Sequence, residues 1–253
     1  MSTEPDFYIG YLPQAPSGLR RFLCRAVVAI VLVAVVLAGV LTLAQMPFAN
    51  SHFEFGKWRD FEGTLTIEPY PALLVTRPGQ AGSDAGISEY LLVAPGKHGA
   101  DDLIKKFVGK EVRIRGKLIY RDERTMLEVD PGSVHTHALN ADGRENIPVQ
   151  DLGSLTLSGE IADSKCYLGV MNPGNGKVHR DCASRCLSGG IPPLFIEFVT
   201  GKTFLLVGAD TRALSYKDIS EFVAEPLTVT GKHVLRGDQD LLSIKPSELK
   251  HSD

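Results

Sequence analysis

Residues 90–129 align without a gap on residues 205–244, at a constant offset of 115. No other feature constrains the fold as tightly, because a chain that repeats such a pattern has to build one supersecondary unit twice. Leu91 falls on Leu206, Ile104 on Ile219, Phe107 on Phe222, Val108 on Val223, Ile114 on Val229 and Leu127 on Leu242. Gly116 and Lys117 fall on Gly231 and Lys232, in VRIRGKLIYRDERTMLEV against LTVTGKHVLRGDQDLLSI. Few residues are identical; what repeats is the apolar pattern.

Each copy reads as a strand, a short helix and a hairpin: YLLVAP, DDLIKKFV, VRIRGKLIY and TMLEV, then FLLVGA, YKDISEFV, LTVTGKHVL and DLLSI. Apolar residues at i, i+3 and i+4 mark the helices, and alternation marks the strands. A strand with a central glycine precedes each copy, FEGTLTI around Gly63 and LSGEIAD around Gly159. This order resembles the oligonucleotide/oligosaccharide-binding (OB) fold, a small five-stranded Greek-key barrel. The expected class is therefore mainly β with short helices, as two tandem OB-like modules over 59–131 and 154–248 joined by a linker over 132–153. Such a fold carries no function by itself.

Twenty-six residues separate Gly63 from Tyr90, whereas 45 separate Gly159 from Leu205. The first module closes without the extra 19 residues, so they read as an addition to the framework, replaceable over 166–190 by a short Gly/Ser linker. Loops of that size without a role are uncommon. The insertion, 166–193, is CYLGVMNPGNGKVHRDCASRCLSGGIPP, with Cys166 closing the strand GEIADSKCY and Gly189 and Gly190 as a helix stop. His179, Cys182 and Cys186 stand at i, i+3 and i+7, on one face of a helix. With Cys166 as a fourth ligand the donors are three sulfurs and one nitrogen, a set that suits tetrahedral zinc, and Asp163 is placed to orient the histidine.

Two other readings of the same residues stay open. Thiols outside the cytoplasm tend to oxidise, so one structural disulfide with a leftover cysteine is an ordinary outcome. A free thiol beside His179, Arg180 and Arg185 would be reactive, which suits a thiol-disulfide or electron-transfer accessory. The segment DSKCY followed by HRDCASRCLSGGIPP is similar to one found in a family of membrane-anchored bacterial proteins. That resemblance implies a bacterial inner-membrane setting and no activity.

Residues 26–45, AVVAIVLVAVVLAGVLTLAQ, carry no charge and are long enough to cross a bilayer as one helix. Arg20, Arg21 and Arg25 precede the run, and the next basic residues are Lys57 and Arg59, which places 1–25 in the cytoplasm and the bulk of the chain in the periplasm. A cleaved signal peptide is the rival, but its apolar region is typically about 7–15 residues behind a short charged segment. The net charge of −3 gives no electrostatic reason to expect nucleic acid. Outside the insertion, no nucleophile or general acid/base with an orienting partner emerges. The expected function is a non-enzymatic, membrane-tethered binding module that serves a membrane or periplasmic complex. His135 and His137 would share a strand face but read as a solvated linker, and His98 as a loop residue. GNGKV lacks the residues of a P-loop, and Trp58 suits an interfacial aromatic.

Overall fold

The structure, a computed structural model, describes residues 15–45, 51–76, 86–136 and 147–251. The chain forms two compact units, Met1–Ala49 and Asn50–Asp253. Among its described residues the first holds one helix, α1 (Ser17–Gln45), which extends the apolar run back through its three arginines. Its stretch Ser17–Leu43 is long and apolar enough to cross a membrane, and none of it is buried against protein.

The second unit holds two closed five-stranded barrels. The first is built from β1 (Arg59–Thr66), β2 (Ala72–Thr76), β3 (Ile87–Ala94), β4 (Glu111–Arg121) and β5 (Arg124–Val129). Its strands pair in the order β1-β2-β3-β5-β4 and close back on β1, with β3 and β5 parallel. The second uses β6 (Val149–Asp163), β7 (Pro193–Glu197), β8 (Thr203–Gly208), β9 (Leu227–Arg236) and β10 (Gln239–Ile244), and closes in the same order. A single helical turn follows the third strand of each, α2 (Asp101–Ile104) and, after the insertion helix α3 (Arg180–Ser188), α4 (Tyr216–Ile219). This is the OB strand order expected from the repeat. β6 starts at Val149, so pairing begins within the stretch read as linker, while 137–146 and with them His137 lie outside the described residues.

Gly63 and Gly159 occupy equivalent positions, opposite Val112 and Leu227. A Cβ at Gly63 would lie 2.2 Å from the Leu74 carbonyl oxygen, and one at Gly159 2.1 Å from that of Ile196. Each first strand thus crosses its neighbour where only glycine fits.

The helices and the last two strands obey the 115 offset, but the third strand does not. Leu91 pairs with Met126, and it is Leu205, not Leu206, that pairs with Leu241, the equivalent of Met126. The third strands are therefore offset by 114, and the loop that follows is six residues in the first barrel (95–100) and seven in the second (209–215). A slip of one residue exchanges the two faces of a strand. Leu91 and Leu205 both leave their barrels, whereas Leu92 and Leu206 fill the two interiors.

The outward faces meet in a third core. Leu91, Val93, Ile119 and Met126 of the first barrel pack with Leu194, Leu205, Val207, Val234 and Leu241 of the second. Around it the barrels exchange equivalent contacts. Arg124 and Gln239, each the first residue of its fifth strand, hydrogen-bond at 2.6 Å. Arg124 donates to the carbonyl of Thr203 at 2.8 Å, and Gln239 to that of Glu89 at 3.3 Å, the matching position once the 114 offset is applied. The interface is thus near two-fold, as in a symmetric dimer.

Candidate metal centre

The insertion lies between the first two strands of the second barrel, where 29 residues (164–192) replace the five (67–71) of the first. It is not an appendage. Cys166, Tyr167, Leu168, Cys186 and Ile191 belong to the core shared by both barrels, and Ala183 and Leu187 pack into the second barrel's own interior. The expectation that the insertion is dispensable to the framework is therefore corrected: its apolar residues fill the space between the barrels.

First-barrel residues hold it from the other side. The Lys165 ammonium donates to the carbonyls of Ala94 (2.9 Å) and Gly96 (2.7 Å) and pairs with Glu128 at 2.7 Å. Arg121 lies 3.9 Å above the Tyr167 ring and donates to the Tyr167 carbonyl. Gly99 N–H donates to the Gly189 carbonyl at 2.8 Å, and a Cβ at Gly189 would meet the Lys97 carbonyl at 1.9 Å.

The strand β6 ends at Asp163, and Cys166 opens the turn that follows rather than closing the strand. One Asp163 oxygen accepts the Cys166 N–H at 2.8 Å, while the other stands 3.1 Å from His179 Nε2. His179 sits in the short turn Lys177–His179 at the residue before α3, which carries Cys182 and Cys186 and stops at Ser188, before the two glycines. Asn175 and the Gly176 N–H bind the Glu160 carboxylate and fix the returning turn.

Cys166 is the hub. Its sulfur lies 3.9 Å from that of Cys182 and 3.9 Å from that of Cys186. The five expected residues fall into two overlapping sets that share it, Cys166–His179–Cys182 and Asp163–Cys166–Cys186, with ligand atoms within 4.8 Å of one another in each. Asp163, expected to orient the histidine, thus also stands within reach as a donor. Cys166, Cys186, His179 and Asp163 are all buried, and Cys182 is half-buried. A hydrogen bond shared by the Cys166 and Cys186 sulfurs, in which either can be the donor, holds the Cys186 thiol below its ordinary range. That same bond, then burial and the Asp163 charge, pushes the Cys166 thiol up.

Spacing gave no sign of Lys97. From the loop after β3 its ammonium reaches 2.8 Å from the Cys182 sulfur, a bond that raises the lysine pKa above its ordinary value. His98 and His135 are exposed on short two-residue strands and belong to neither set.

A cluster of cysteine and histidine able to hold a metal ion thus sits between two barrels in a chain with one apolar N-terminal helix. No family model, curated protein or solved structure matches the chain.

Proposed function

We propose that the chain is a single-pass protein of the bacterial inner membrane, N-terminus in the cytoplasm and barrels in the periplasm. In this reading it holds one structural zinc on Cys166, His179, Cys182 and Cys186, oriented by Asp163. It acts as a non-enzymatic binding or assembly module for a membrane or periplasmic protein complex. The observation that carries the metal reading is the pair of equal sulfur separations, 3.9 Å from Cys166 to each partner. Two thiolates on one tetrahedral zinc, each about 2.3 Å from the metal, stand about 3.8 Å apart, whereas a disulfide requires about 2.0 Å. A single bridge would also draw Cys166 to one partner and strand the other. Four protein donors leave no open position for substrate, which favours a structural role over a catalytic one.

The full chain, purified without oxygen, is expected to carry about one zinc with its three insertion thiols protected until the metal is chelated. Cys166→Ser should lose the metal outright, and His179→Ala, Cys182→Ser and Cys186→Ser should each weaken it. A metal-free protein in which two of these cysteines matter as a pair, with His179→Ala silent, replaces the reading with a disulfide.

A second reading has its own observation. Lys97 places a cation on Cys182, the half-buried sulfur, with Cys166 behind it, which is the arrangement of an attacking and a resolving thiol. Reversible loss of two thiols in the metal-free protein, at a defined redox potential, favours it.

A further inference from the structure

The loop that enters the first barrel carries a built aromatic platform. Ser51–Phe53 pairs with β4, and the Glu54 N–H donates to the Leu118 carbonyl at 2.9 Å. The buried Glu54 carboxylate is gripped at both oxygens by Arg59, at 2.8 and 2.9 Å. Gly56 turns the chain with φ +79. So held, Phe53 and Phe55 meet edge to face at 5.5 Å, and the Lys117 ammonium stands 5.8 Å, 5.2 Å and 4.4 Å from the rings of Phe53, Phe55 and Trp58. The Arg115 guanidinium lies 5.5 Å from the Trp58 ring. Phe55 remains 77% exposed and Trp58 39%. Phenyl and indole rings held this far into water, and interleaved with cations, await another surface.

We propose that this platform rests in the interfacial layer of the bilayer that α1 crosses, with the exposed Phe55 and Trp58 rings among the upper acyl chains and the exposed Lys57 and Arg115 at the phosphates, while Lys117, paired with Glu128 at 3.0 Å, holds the rings from beneath. The proposal rests on the reading of α1 as a membrane span. Five residues, 46–50, separate Gln45 from Ser51, and a link of that length reaches at most about 20 Å when fully extended. The platform therefore stays near the point where the chain leaves the hydrocarbon. Its chemistry is that of the membrane boundary, where tryptophan and phenylalanine partition into the interface and basic side chains meet anionic headgroups.

Trp58 is the only tryptophan of the chain, so its fluorescence reports on the platform alone. The full chain would be reconstituted into vesicles of phosphatidylcholine and phosphatidylglycerol, with and without lipids brominated near the top of the acyl chain. Trp58 is expected to lose most of its emission to the brominated lipid and to be only weakly quenched by iodide in the water. Moving the probe, with Trp58→Phe combined with Phe55→Trp, should give quenching at least as strong. Protein that floats with the vesicles but is untouched by brominated lipid overturns the platform and leaves the span intact. Shielding from both quenchers also overturns it, in favour of a protein cover. Protein that does not float with the vesicles removes the span and the platform together.

Discussion

The two barrels share a strand order, a crossing glycine and a helical turn in the same place, yet the connection between their first two strands differs most, five residues in the first and 29 in the second. The short version positions Tyr70, whose hydroxyl donates to the Leu206 carbonyl of the other barrel at 2.7 Å. The long version supplies Cys166, Tyr167, Leu168, Cys186 and Ile191 to the core between the barrels, and with them the Cys/His cluster able to hold a metal. A barrel therefore closes with either loop, but the pair of barrels has been packed around the long one. Chemistry and cohesion lie in the same 29 residues.

The sharpest way to break that comparison is to give the second barrel a short connection. Replacing 166–190 by a Gly/Ser linker is expected to abolish the folded two-barrel unit, seen as general protease sensitivity. A protein that resists proteolysis and keeps its far-ultraviolet circular dichroism would restore the insertion to the status of an appendage.

Next in size are Ile114→Asp and Val229→Asp, matched positions buried in the separate interiors. An uncompensated buried charge costs about 3–5 kcal/mol. Because a third core joins the barrels, Val229→Asp in the second barrel should also lower the unfolding midpoint read from Trp58 beside the first. Independent midpoints would show that the shared core does not couple them.

A smaller effect comes from Glu89, where the second barrel's Arg236 and Gln239 meet the first. Burial outweighs the Arg236 charge and raises the Glu89 pKa from 4.5 to about 7. A carboxyl whose folded pKa is raised contributes stability below its unfolded pKa and loses it as pH rises toward 7. That loss is about 3 kcal/mol between pH 4.5 and 7. Urea midpoints should fall over this window, and Glu89→Gln should flatten the slope.

The smallest concerns Lys97, the first barrel's contribution to the cluster. Lys97→Met should weaken zinc about 10-fold, in the range of outer-shell partners, while Lys105→Met, paired only with Asp102 at the surface, should not. Competition with a chromophoric chelator measures both.

Regular spacing explains which parts of this architecture could be read from residues alone. The helical turns and the last two strands announce themselves through Ile104 and Ile219, Ile114 and Val229, because charged neighbours mark the faces. The third strand does not: YLLVA and FLLVG are apolar at nearly every position, so neither face is marked and a gapless alignment settles one residue out of register. In the insertion, His179, Cys182 and Cys186 at helical spacing, with Cys166 ahead of them, pointed to the cluster. Lys97 lies 85 residues from Cys182 and carries no local pattern, so only the docked barrels bring it there. The structural weight of the insertion had a signal in Tyr167, Leu168, Leu187 and Ile191, apolar side chains in a stretch otherwise rich in glycine and charge.

The reciprocal grip of Arg124 and Gln239 bears on how a near-symmetric pair of barrels can carry a Cys/His cluster on one side. Two separate copies of one polypeptide, docked across such an axis, must carry every loop twice and every change in duplicate. Once the copies are consecutive in one gene, each position on the axis is free to diverge from its counterpart: arginine on one side, glutamine on the other, a five-residue turn facing a cysteine-bearing excursion. Carrying both halves in one chain is what lets an almost symmetric scaffold bear different loops on its two sides.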